Sequence, residues 1–257
     1  MVFWSKRRVV PEHEADWIAD CFADFLLRFG KDWLTGRPPV LPTRDYIDAP
    51  RGTGHATAQA VFEQVKSQMG LGPDWEVRLT PQEASRKIGA IADSVLVQHD
   101  ETPILATFRV DQDGPLITYD PSLLDTPQLF VATMSHELAH LMEAVVPRAE
   151  PFEQPMLGEM ATDILSVASG FGIFKLETAF TNTAFGDGFA QGWSTSRQGY
   201  ISPEFAAFAL GLNLRLCHAD EASVYPHLSK KHQKLLRQAL AQINADATFL
   251  ETVLDPE

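Results

Sequence analysis

Cysteine is nearly absent from this chain. There are two, Cys21 and Cys217, far apart in sequence and both in helix-like stretches. A disulfide framework needs more than that, and neither has the C-x-x-C spacing of a thiolate metal site or a redox pair. Both read as buried free thiols. Long apolar runs are missing too. No stretch of about 18 consecutive apolar residues exists, so no membrane span is expected. The N-terminal residues MVFWSKRRVVPEHEADW contain no apolar segment of the secretory type. The expected compartment is the cytoplasm. Basic charge is also scarce. Lys and Arg number 21 against 34 Asp and Glu, for a formal net charge of −13. Phosphate binding needs a basic face, so nucleic acid is not an expected partner. The basic cluster Lys6-Arg7-Arg8 reads as a solvated N-terminal arm.

What is present suits a folded domain. The 257 residues are 45% hydrophobic and 21% charged, enough to bury a sizeable core. Residues 11–29 repeat apolar side chains at helical spacing, from Trp17 through Phe29, with Gly30 as a stop. Residues 55–69 give a second helix, ended by Gly70. Four short β-branched segments follow: WEVRLT (75–80), SVLVQH (94–99), ILATFRV (104–110) and LITY (116–119). Asp113-Gly114 predicts a hairpin turn between the last two. Helices return at Thr126-Pro127, run to Val146, and restart from about Met156 to Gly170 after the Pro-rich PRAEPFEQP. Ser202-Pro203 opens another helix to about His218, and an amphipathic one spans about 230–244. The order predicts one α+β domain over 1–257, mainly helical with a small mixed sheet. Residues 1–114 would form the N-terminal helices and sheet. Residues 115–175 would form a central part around an antiparallel helix pair, and 176–257 a C-terminal helical part.

One stretch carries chemistry: TMSHELAHLME, residues 133–143, with His136-Glu137-Leu138-Ala139-His140 at its centre. On a helix, i and i+4 share a face, so the two histidines point the same way and can share a metal. Glu137 lies about 100° round the helix. There it flanks the histidines where a metal-bound water would be, which suits a general base. Chance alone can produce five such letters. This helix, however, is apolar on nearly every side, so it should be buried, and buried His and Glu need partners. A zinc ion would supply them.

A zinc with three protein ligands and one open position needs a third group. The pattern H-E-x-x-H-x-x-G-x-x-H fails, because Glu143 and Val146 stand where Gly and His would be required. Glu159 in MLGEMATDIL follows His140 by 19 residues. A second helix running back antiparallel would bring it to the metal face. Asp163 lies four residues further along that face. It fits the carboxylate that accepts a ligating histidine's other N–H. Asp163 as ligand, with Glu159 outside, is the alternative. Glu143, Glu150 and Glu153 read as solvated carboxylates. Another divalent ion that tolerates two His and a carboxylate would also fit.

H-E-x-x-H followed about twenty residues later by E-x-x-x-D resembles the gluzincin group of zinc metallopeptidases, over residues 115–170. The chain is also similar to uncharacterised bacterial proteins with H-E-L-A-H, then T-D and a G-F-G-I-F-like stretch, which bring no known function. The gluzincin resemblance implies a zincin-like fold, His136, His140 and Glu159 as metal ligands, and Glu137 as base. It implies Asp163 behind a ligating histidine. It also implies an edge strand before the metal helix that binds substrate backbone, a place PLITYD (115–120) would take. The G-x-M-E-N exopeptidase motif is absent.

In that group a downstream Tyr or His donates to the oxyanion. Tyr200, His218 and Tyr225 are the candidates here, with Arg197 nearby. Tyr200 is preferred because it sits in a loop after a Gly-rich segment. Phe171, Phe174, Phe180, Phe185, Phe189 and Trp193 could line a pocket or form core. His13, His55, His99 and His227 show no ligand spacing, and His232, among SKKHQK, reads as exposed. The expected function is zinc-dependent hydrolysis of a peptide or protein substrate. The alternative is a zinc-stabilised binding or regulatory protein that keeps the site without turnover.

Overall fold

A computed structural model of the chain describes residues 8–82, 105–179, 200–246 and 248–255. Helix α1, Glu12–Phe29, follows Pro11, carries Glu12 and Glu14 in its first turn and Arg28 in its last, and stops at Gly30. That glycine has φ +88°, a conformation costly for other residues. The short α2, Lys31–Thr35, starts at once after it, and α3 spans His55–Gln68. The sheet has three described strands: β1 Arg78–Pro81, β2 Ala106–Asp111 and β3 Gly114–Tyr119. Then come α4, Pro127–Val145, and α5, Pro155–Ser166. A π-turn, Val167–Phe171, links α5 to α6, Gly172–Thr178. Helices α7, Pro203–Leu216, α8, Lys230–Ile243, and α9, Phe249–Leu254, complete the chain. The architecture is mainly helical with a small mixed sheet, as the residue pattern predicts.

Local chemistry explains most boundaries. Pro127 and Pro203 occupy first helical turns, where a missing N–H costs nothing. Ser202 Oγ accepts from Phe205 N–H at 3.2 Å, and Ser229 caps α8 through His232 N–H. Two boundaries differ from the sequence reading. WEVRLT forms strand only from Arg78, because Trp75 closes a turn back onto Gly72. The helix expected to run from Met156 to Gly170 ends at Ser166. Gly170 takes φ +103° and kinks the path, and a Cβ there would lie 2.9 Å from Pro38 O. The expected strand at 94–99 lies outside the described residues.

The hairpin forms as expected, with Asp111 paired to Gly114 across the turn. The sheet order is β1-β3-β2, with β1 parallel and β2 antiparallel to β3. PLITYD is therefore the middle strand, a correction to its expected place at the edge. Among the described residues β2 is the edge strand on the cleft side. Spacing alone cannot fix strand order, because β1 and β3 pair across a long stretch of intervening chain and not across a tight turn.

The buried apolar residues form one continuous cluster from Val10 to Val253. Its large members include Phe22 and Phe25 of α1, Phe62 of α3, Phe130 of α4 and Phe208 of α7, all fully buried. Truncating one such ring to Ala costs roughly 3–5 kcal/mol. Helix α4 runs through this cluster and touches α3, α5, α6 and β2. It is buried on almost every side, polar residues included. No helix among the described residues is long and apolar enough to cross a membrane.

Candidate metal centre

Helices α4 and α5 pack with reversed register. Ser135 lies against Ser166, His136 against Asp163 and His140 against Glu159. The later residue of α4 meets the earlier residue of α5, so the pair is antiparallel. The Pro-rich link between them makes the reversal possible. This register gathers the residues singled out by sequence. His136 Nε2 and His140 Nε2 are 3.1 Å apart. Glu159 Oε2 lies 3.3 Å from the first and 3.2 Å from the second. Among the described residues this trio is the grouping of His, Cys, Asp or Glu close enough to hold a metal ion.

The triangle fits zinc. Ligands about 2.0–2.1 Å from a tetrahedral ion stand roughly 3.3–3.4 Å from one another, close to the three distances here. The donor chemistry fits as well. His136 Nδ1 donates to Asp163 Oδ1 at 2.8 Å, which leaves its Nε2 to offer a lone pair. The two Nε2 atoms and Glu159 Oε2 then converge, and either a histidine N–H or a shared cation can bridge them.

The neighbouring charges shift the proton affinities of the site's members. Burial and the Lys175 cation pull the His136 pKa down, but Asp163 and Glu159 outweigh them and bring it up to about 9. Burial raises the Glu159 pKa, yet hydrogen bonds from His136 and His140 hold it at about 2. Asp163, at 0% exposure, is held well below the usual carboxylate range. Burial opposes this, and the Lys175 and His136 charges overcome it. Glu137 goes the other way. It is buried beside the histidines, and burial raises its pKa against their opposing pull. A carboxylate raised in this manner is a better proton acceptor.

The trio opens into a cleft of about 450 Å³. Leu105, Ala106, Thr107 and Phe108 of the β2 side form one wall, and Glu137, Lys175 and Tyr200 line other parts. The Tyr200 ring stacks on His136 with centroids 5.6 Å apart and planes 22° from parallel. Its backbone N–H donates to Asp163 Oδ2 at 2.7 Å.

His136, Glu137, His140, Glu159, Asp163 and Tyr200 are thus brought together. Asp163 stands behind His136, and Glu159 faces both Nε2 atoms. His218 and Tyr225 do not line the cleft, and Arg197 lies outside the described residues. Glu143 pairs with Arg28, while Glu150 and Glu153 are exposed. Phe171 and Phe174 are core, and the other four aromatics of their stretch lie outside the described residues. His232 is a correction. It is buried, with Nδ1 2.8 Å from Glu177 Oε1, because it falls on the inner stripe of α8 with Leu236, Ala239 and Ile243. Cys21 is buried and Cys217 half-buried, and both are free thiols.

The sequence reading missed Lys175. Its Nζ donates to Asp163 Oδ1, and it is itself buried. The available signal was a lone cation in the apolar run GFGIFKL, which needs a carboxylate partner. The chain matches no protein-family model, no curated protein and no solved structure.

Proposed function

We propose that the protein is a zinc-dependent hydrolase, a gluzincin-like metallopeptidase. The observation that carries this reading is the triangle of His136, His140 and Glu159 with the buried Glu137 beside it. Those three side chains would hold the ion. Zinc bound there supplies a water with a pKa near 7 and an electrophile for a carbonyl oxygen.

The chain's own residues do the rest. Glu137, with its raised proton affinity, takes a proton at its carboxylate and delivers it to the leaving nitrogen. Asp163 holds His136 in the tautomer with Nδ1 protonated and Nε2 facing His140 and Glu159. The Tyr200 ring keeps His136 from rotating by stacking on its face, and its hydroxyl is the preferred donor to the developing oxyanion. Strand β2, the edge among the described residues, would offer backbone N–H and C=O groups to an extended peptide lying in the cleft. That favours a peptide over a compact small molecule as substrate.

The test starts with metal analysis of purified protein, which should give about one zinc per chain, then hydrolysis of a broad peptide library. Less than about half a zinc, unaffected by His136→Ala, would sink the metal reading. One zinc with no cleavage of any peptide would favour a zinc-stabilised binding protein.

A further inference from the structure

Lys175 is not needed to assemble a zinc triangle, yet the fold delivers it there. Along a straight helix, residue 175 would lie roughly 18 Å beyond residue 163. The π-turn and the kink at Gly170 break that path. Val40 N–H donates to Gly170 O at 2.8 Å, and Pro38 O blocks any side chain at that glycine. Segment 38–40 therefore clamps the kink that returns Lys175 to α5. Its Nζ reaches Asp163 Oδ1, the same oxygen that accepts from His136 Nδ1.

Charge explains what this cation would do. Glu137, Glu159 and Asp163 all line the cleft, and Lys175 lines it with them. A buried carboxylate without a counter-charge is expensive. A bound dication would help to balance these carboxylates; in its absence a cation fixed in the protein must contribute. When the dication is present, the same lysine repels it, because the buried Lys175 charge is weakly screened by water.

We propose that Lys175 is a resident counter-ion of this site: it keeps the carboxylates balanced and the donors assembled without metal, and it weakens the hold on a dication so that the metal exchanges. This rests on the metal reading above. Lys175 is a positioning residue acting through Asp163 and through its charge. Its loss should therefore have unequal effects in the two states. The metal-free protein loses its counter-ion, whereas the metal-bound protein loses a repulsion. A lysine that only supports the fold would destabilise both states equally.

The experiment uses the full chain with Lys175→Gln, which keeps a hydrogen-bond donor and removes the charge, and Lys175→Arg, which keeps the charge. Thermal midpoints are measured with chelator and with saturating zinc, and zinc Kd by chelator competition. The metal-free K175Q midpoint should fall by roughly 10 °C. Zinc should restore most of that, and Kd should tighten about tenfold. K175R should follow the wild type. If K175Q folds only with zinc, that is the same result in a stronger form. Equal losses with and without zinc, folding in neither state, or a Kd unchanged or weakened would overturn the role given to Lys175. Wild-type protein that takes up no zinc would sink the metal reading and this proposal together. Zinc bound by the wild type, with K175Q indifferent to it, would sink the proposal alone.

Discussion

Helix α4 carries two polar clusters, and they are built on opposite principles. Toward its C-terminal end, Glu143 meets Arg28 of α1 at 3.2 Å. Arg28 and Arg148 both reach Asp24, at 3.2 and 3.0 Å. The guanidiniums also lie over aromatic rings, Arg28 over Phe29 at 4.9 Å and Arg148 over Phe152 at 4.2 Å. Donors there face acceptors, although the buried Nε atoms of the two arginines lack a partner. One turn earlier, His136 Nε2, His140 Nε2 and Glu159 Oε2 crowd together, with histidine N–H groups as the donors to bridge them. Both clusters are rich in charge and partly buried, so polarity does not tell them apart. The balance of donors against acceptors does. The matched cluster ties α1 to α4, while the other is the grouping that could hold an ion.

The comparison breaks most visibly under substitution at Glu137. Glu137→Gln should lower hydrolysis of any cleaved peptide by about 10³-fold and leave about one zinc per chain. Turnover and metal content measured on the same preparation check this. Retained turnover would remove Glu137 from its role as base. Next in size is a paired test of the two clusters. Asp163→Asn should weaken zinc binding by about 10- to 100-fold, because His136 loses its charged partner. Arg28→Met should leave zinc affinity unchanged and cost about 2–3 kcal/mol of stability through lost pairing and packing. Chelator competition and urea unfolding on both variants decide it. Should R28M weaken zinc as much as D163N does, the two clusters would not be separate. A third test addresses the kink. Gly170→Ala forces a Cβ against Pro38 O and Val40 at positive φ, and should cost about 3 kcal/mol by urea unfolding.

The residue pattern reveals the candidate metal trio because each element of it is local. His136, Glu137 and His140 lie within one helical turn, and Glu159 and Asp163 within another. The Pro-rich link is short enough to force the two helices together. Tyr200 is a weaker inference, read only from its place after a Gly-rich loop, yet it packs on His136. What local pattern cannot show is what depends on long-range closure. The order β1-β3-β2 pairs strands that are distant in sequence, Arg78 with Leu116. The return of Lys175 to Asp163 depends on a glycine whose required conformation is set by Pro38 and Val40, about 130 residues earlier. The charged neighbours of His232 mask its place on the core stripe of α8, which its spacing to Leu236 and Ile243 marks.

The smallest expected effect is on the pH dependence of stability, and it separates the clusters without any substrate. In the metal-free protein His136 has its pKa raised from 6.5 to about 9, with Asp163 and Glu159 outweighing burial and Lys175. A raised pKa means the folded state holds the proton more tightly than the unfolded chain does. Its contribution is therefore complete below about pH 6.5 and is lost as pH rises through 9. Glu159 has the opposite sign. Hydrogen bonds from the histidines overcome burial and lower its pKa from 4.5 to about 2. That contribution is present above about pH 4.5 and is lost as pH falls toward 2. Metal-free protein should thus lose stability between pH 7 and 10. Zinc-loaded protein should not share that loss, since the ion takes the place of the proton at His136 Nε2. Arg28→Met should lower the whole metal-free curve and leave its alkaline limb in place. His136→Gln should remove that limb. Thermal midpoints from pH 6 to 10, with chelator and with zinc, are the measurement. Parallel curves in the two states would mean that the converging acceptors do not share a proton, and the contrast between the clusters would fail at its physical root.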